Sequence, residues 1–169
     1  VEYRVRMADG TYRWHIARAS AVRDEMKKII SWVGTTTDIH DQKTEEDKLK
    51  SLLMQAPMPI VLFKGPEFVI DFMNPASISY SKDSTGKPLF KAYPELETQG
   101  FRQIMESIYQ SGKGIFLTDM PLSLNKADGI SVERFFDFFY EPLKDEKGKV
   151  HSIFNIGVDV TDKRNALKR

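Results

Sequence analysis

The chain has 169 residues, 41% hydrophobic and 11% aromatic, enough for one full-sized domain or a small domain plus an appendage around a packed core. A formal net charge of +1 supplies no electrostatic reason to expect nucleic acid or an anionic membrane as partner. With no cysteine, disulfides, thiolate metal sites and cysteinyl chemistry are excluded, and no apolar run approaches the ~20 residues needed to span a bilayer.

The chain starts abruptly on alternating, strand-like sequence at residues 1–7, which reads as a cut into a longer protein. Asp9-Gly10 then signals a hairpin, and residues 13–22 and 29–39 read as two longer strands around the polar stretch 23–28. Residues 44–56 read as a connecting helix, with Thr44 as its cap and Leu49, Leu52 and Leu53 as a narrow apolar stripe. Residues 59–63 and 68–73 form a strand pair around Gly65-Pro66. Asn74-Pro75-Ala76 is an N-cap followed by proline at the first helical position. Residues 82–98 look irregular, with short helical turns at most. The strongest helix covers 99–111, where Phe101, Ile104, Met105, Ile108 and Tyr109 share one face before Gly112 ends it. Strands follow at 114–124, 131–143 and 150–160, and a further helix begins near Thr161.

The chain repeats itself. Residues 14–43 align without a gap on residues 135–164, with the identities Asp24/Asp145, Glu25/Glu146, Lys28/Lys149, Ser31/Ser152, Asp38/Asp159 and Asp41/Asp162. Asp9-Gly10 and Asp128-Gly129 precede the two blocks at almost the same distance. The division expected is a three-strand tail of a first module at 1–43, a connecting helix at 44–56, a complete module at 57–164 and the start of an output helix at 165–169.

This element order, the Phe-Met-Asn-Pro-Ala stretch at 72–76 and the closing Asp159-Val160-Thr161 resemble a PAS domain, and residues 9–39 resemble the C-terminal part of another. The first copy departs from the family's closing pattern, since His40 stands where Thr161 stands in the second. The resemblance implies an α+β fold: a five-stranded antiparallel sheet with helices enclosing a pocket on one face, preceded by a partial three-stranded copy. It further implies a cytoplasmic sensory or relay module, such as serves bacterial two-component sensor histidine kinases, or the cytosolic part of a membrane-bound sensor. Such a module is expected to bind a small ligand or form a homodimer, to pass a signal along flanking helices, and to have its kinase or other output domain elsewhere in the protein. The alternative is a structural spacer or dimerisation domain with no ligand.

Strand alternation and the helix face select a candidate pocket of Phe72, Phe101, Ile104, Met105, Ile108, Phe136, Phe138, Tyr140, Asn155 and Gly157. Asn155 stands out, because a buried amide needs partners that a ligand, the backbone or water would supply. Asp159, Thr161 and, in the first copy, Asp38 mark the junctions where strand becomes outgoing helix. Phe135 and Phe139 fall on the opposite sheet face, which with Leu49, Leu52 and Leu53 is a candidate helix-covered or dimer surface. None of His15, His40 and His151 lies on the long helix, where haem-binding members of the family place their axial ligand, so haem is not expected. The missing cysteine removes cysteinyl-flavin photochemistry, and a cofactor is otherwise unassigned. No phosphate-cradling loop, nucleophile elbow or metalloprotease motif is present, so no catalysis and no metal site is expected of this chain.

Overall fold

Alternating side chains and the Asp9-Gly10 turn fold the start of the chain into an antiparallel sheet of β1 (Glu2–Arg6), β2 (Tyr12–Arg23) and β3 (Ile29–Asp38), in the order β1-β2-β3. Gly10 takes φ 88°, and Asp9 accepts hydrogen bonds from Thr11 N and Oγ1 at 2.9 and 2.7 Å, an Asx turn that closes the hairpin. This is a computed structural model that describes residues 1–125 and 131–167; it forms two units, Val1–Leu52 and Leu53–Arg169.

Helix α1 (His40–Gln55) begins four residues before the expected cap at Thr44. Asp38 is the residue that caps it, accepting from His40 N at 2.9 Å, while Thr44 Oγ1 donates back to His40 O from the second turn.

The second unit continues with β4 (Ile60–Lys64), β5 (Val69–Met73), α2 (Pro75–Tyr80), the one-turn helices α3 (Leu89–Ala92) and α4 (Glu95–Thr98), and α5 (Phe101–Ser111). It closes with β6 (Ile115–Asn125), β7 (Ser131–Lys144), β8 (Val150–Asp159) and α6 (Thr161–Leu167). The five strands form one antiparallel sheet in the order β5-β4-β8-β7-β6, as the resemblance implies. Within 82–98, expected to hold short helical turns at most, residues 89–98 make two single turns, each started after a proline. Helix α5 starts at Phe101 rather than at 99: Gly100 takes φ 84°, and the Gln99 side chain bonds Ser123 N and O on β6. Its apolar face buries Phe101, Met105 and Ile108 at 1–3% exposure, each contributing about 1.5–3 kcal/mol over an exposed position.

The internal repeat is exact in register. Strand β3 and helix α1 begin at residues whose counterparts, 121 further on, begin β8 and α6. His15↔Asp38 through Val22↔Ser31 match Phe136↔Asp159 through Leu143↔Ser152, and each ladder shifts at the same place, at Val22/Arg23 and Leu143/Lys144. In both turns an aspartate carboxylate holds two backbone amides: Asp24 accepts from Met26 N and Lys28 N, and Asp145 from Lys147 N and Lys149 N. Lys27 sits at φ 62° where its counterpart Gly148 sits at φ 78°. The Asp128-Gly129 hairpin expected between β6 and β7 lies outside the described residues.

Candidate functional site

Sheet, α2 and α5 of the second unit enclose a cavity of about 100 Å³. Strands β7 and β8 present Phe136, Phe138, Tyr140 and Asn155 to it, α5 presents Phe101 and Met105, and α2 presents Ser77 and Tyr80. Phe136 and Phe138 stack with centroids 5.4 Å apart, and Phe101 meets Phe138 edge-on at 5.9 Å. Among the described residues its lining holds no carboxylate, imidazole or amine.

Six of the ten pocket residues expected from sequence therefore share this wall: Phe101, Met105, Phe136, Phe138, Tyr140 and Asn155. Ile108, 1% exposed, belongs to the packed core behind it, and Ile104 packs partly buried against that core. Gly157 lies under Phe136 and Phe138; a Cβ there would come within 3.1 Å of the Phe138 ring, so glycine leaves room for the aromatic pair. Phe72 is a correction. The register shift at Leu62/Phe63 pairs Leu62 with Phe72 but Phe63 with Ile70, so an extra residue, Asp71, breaks the alternation. Ile70 and Met73 reach the cavity instead, and Phe72 does not line it.

Two polar groups in this apolar wall are incompletely paired. Asn155, 5% exposed, donates from Nδ2 to Phe139 O at 3.3 Å, and its Oδ1 has no partner among the described residues. Tyr140, 4% exposed, likewise makes no hydrogen bond through its hydroxyl among the described residues, and burial pushes that phenol up. They are direct cross-strand neighbours.

At the end of β8 the strand becomes helix α6. Asp159 Oδ1 accepts from Thr161 N at 2.9 Å and Oδ2 accepts from Arg134 Nη1 at 2.9 Å, while Thr161 Oγ1 accepts from Phe135 N at 2.9 Å. Arg164, one turn into α6, lies 3.7 Å over the Phe135 ring and pairs with Asp119 on β6. Phe135 is thus partly covered, whereas Phe139 beside it is 41% exposed. Burial disfavours charge on Asp159, but the hydrogen bonds from Thr161 and Arg134, with the Tyr80 phenol nearby, outweigh it and hold the carboxyl below its ordinary value.

Tyr80 joins the two places. Its ring lines the cavity and meets Phe136 edge-on at 5.1 Å, and its phenol lies near enough to the Asp159 carboxylate for each to perturb the other's protonation. Burial first, and that carboxylate second, push the Tyr80 phenol up, so it remains a donor. Arg134 lies over the same ring at 5.6 Å. Sequence reading missed Tyr80, which sits on a two-turn helix with no periodic signal.

It also missed the reach of Asn74. Fully buried, this residue caps α2 through Oδ1, which accepts from Ser77 N and from Ile60 N, while Nδ2 donates to Leu53, Ala56 and Met58 carbonyls at 2.9–3.3 Å. One amide thereby fixes the segment entering β4 against the start of α2.

In the first unit Asp38 makes the same corner: Arg13 Nε lies 2.5 Å from Oδ2, His40 N donates to Oδ1, and Lys43 lies 4.9 Å over Trp14. The change from Thr161 to His40 does not disturb the cap, because the backbone amide, not the side chain, meets the aspartate. Leu49 and Leu52 are about 60% exposed, and Leu53 is partly buried.

The comparisons agree with this architecture. Family models described as the PAS fold match residues 53–165 and 1–36, and the chain belongs to that family. It is 41% identical over 56 residues to the peroxide stress-activated histidine kinase mak1 of Schizosaccharomyces pombe, covering 32% of this chain and 3% of that protein. An uncharacterized protein, y4lL, of Sinorhizobium fredii is 24% identical over 98% of this chain, which spans 21% of it. The chain thus spans only a small part of the curated relatives it matches. Among solved structures, an RNA-binding light-oxygen-voltage receptor superposes with TM-score 0.59 at 15% identity, covering 90% of this chain and 41% of that one. The VqmA–ligand–DNA complex of Vibrio cholera superposes with TM-score 0.53 at 21% identity, covering 68% and 51%. That match overturns the exclusion of nucleic acid as a partner. The formal charge of one segment does not report the surfaces of a longer chain, and this fold occurs in a receptor solved with DNA.

The chain is therefore a PAS sensor segment with a partial first copy. No described helix is long and apolar enough to cross a membrane.

Proposed function

We propose that the second unit senses a small ligand in its cavity and relays occupancy to helix α6 through Tyr80 and Asp159. The observation that carries this reading is the position of Tyr80, whose ring is cavity wall and whose phenol lies near the Asp159 carboxylate that accepts from the first amide of the outgoing helix. A ligand that displaces the ring changes the hydroxyl's distance to that carboxylate, and the cap of α6 with it. Binding rather than catalysis fits a lining free of carboxylate, imidazole and amine among the described residues. By the same reasoning the effector lies elsewhere in a longer protein, with a histidine kinase the output suggested by the relative mak1.

A double-mutant cycle on Tyr80→Phe and Asp159→Asn, read by denaturant unfolding, tests the link. A coupling of about 0.5–1.5 kcal/mol is expected for groups in one network; additive effects would remove the relay. A second reading, a protein-contact module, is favoured by the cross-strand pair Phe116 and Phe139, which are 63% and 41% exposed on the outward sheet face. Under that reading the cycle is additive.

A further inference from the structure

The cavity's chemistry narrows what it admits. At about 100 Å³ it is somewhat smaller than the ~150 Å³ apolar cavity known to accept benzene, so one six-membered ring with little extension is the scale it takes. Stacked and edge-on phenylalanines favour a flat aromatic body over a branched aliphatic one. With no charged side chain lining it among the described residues, an ionised ligand would lose its hydration without a counter-charge, so the ligand is neutral.

Its polarity is equally constrained. Leaving a buried acceptor or hydroxyl unpaired costs about 1–3 kcal/mol. On residues only 5% and 4% exposed, Asn155 Oδ1 and the Tyr140 hydroxyl make no hydrogen bond among the described residues and stand side by side on β8 and β7, facing the cavity. The other polar groups there are turned elsewhere: Ser77 Oγ donates to Ile60 O, Tyr93 donates to Ser81 Oγ and Lys82 O, and the Tyr80 phenol lies near Asp159. The unfilled positions are thus one acceptor, Asn155 Oδ1, and one hydroxyl free to donate, on Tyr140.

We infer that the cavity takes a compact, neutral, single-ring aromatic molecule bearing one hydroxyl, which donates to Asn155 Oδ1 and accepts from Tyr140. This rests on the sensing reading above and specifies its ligand class.

The test uses phenol and toluene, similar in size and differing in the hydroxyl, titrated into the chain and followed by amide chemical shifts of cavity residues. Phenol is expected to bind at least tenfold more tightly than toluene. Asn155→Leu is expected to bring the two within about threefold. Tyr140→Phe, which removes one oxygen and keeps the ring, is expected to reduce the preference in part, and it carries the test should Asn155→Leu fail to fold. Equal binding of toluene and phenol would overturn the hydroxyl requirement while leaving a ligand-sensing cavity intact. Tighter binding of benzoate than of phenol would overturn neutrality, and binding of none of the three would overturn the ligand class. The sensing reading stands or falls separately, on the coupling of Tyr80 to Asp159.

Discussion

In the first unit, Arg13, Asp38 and His40 N make an exit corner on a sheet whose third strand is exposed at every position. In the second, Arg134, Asp159 and Thr161 N make the same corner on β8, which closes a buried core around the fully buried Ile153. Since the same arginine, aspartate and helix amide meet on both foundations, this corner is a local property of two strands and the first turn of a helix. The second unit adds a connection. Tyr80, from α2, lies near Asp159, and Thr161 Oγ1 adds a bond to Phe135 N that has no counterpart at His40. Under the proposed relay, a cap that lies beside a cavity wall is biased by what occupies the cavity.

Four perturbations break or sharpen this comparison. The largest effect is expected at Asn74, fully buried in the second unit. Asn74→Ala leaves the amides of buried Ile60 and Ser77 without their side-chain acceptor, removes a donor from three carbonyls, and should cost about 3 kcal/mol in chemical denaturation of the second unit. Next, Asp159→Ala should cost about 1–2 kcal/mol as a lost helix cap and ion pair, and Asp38→Ala visibly less, because its ion pair is more exposed.

The pH dependence of that second effect has a defined sign. The folded Asp159 carboxyl is held below its unfolded value near 3.9, so its contribution is fully present above that value and is lost as pH falls through the folded one. The stability gap between the wild type and Asp159→Asn should be flat from about pH 6 to 7 and shrink below about pH 4. A gap that widened in acid would mean that the folded carboxyl is raised instead.

The smallest expected effect is at the shared turn. Lys27→Gly should raise the first unit's stability by about 1 kcal/mol, and Gly148→Ala should lower the second's by a similar amount, as both sites hold positive φ.

Much of the fold was legible because it is written in period-two alternation and turn chemistry, which are local. Phe136, Phe138 and Tyr140 turn inward and Phe139 outward as alternation requires. The same rule failed at Phe72, since an inserted residue in β5 leaves no mark on the apolar pattern. Asn74-Pro75 announced a cap, but the amide's bonds to the chain before β4 are tertiary and invisible in sequence. Arg13 and Arg134 stand one residue before the aligned repeat; extending the alignment by one position would have exposed the paired arginines. Tyr80 had no such signal, for its partner Asp159 is distant in the chain.

The most direct test of the relay fills the cavity without presuming a ligand. Xenon under pressure occupies apolar cavities of this kind, and amide spectra would follow Met105 in the wall and Thr161 at the cap. Both should shift in the wild type, and in Tyr80→Phe only Met105 should move. A Thr161 amide that stays still in the wild type while Met105 shifts would contradict the account.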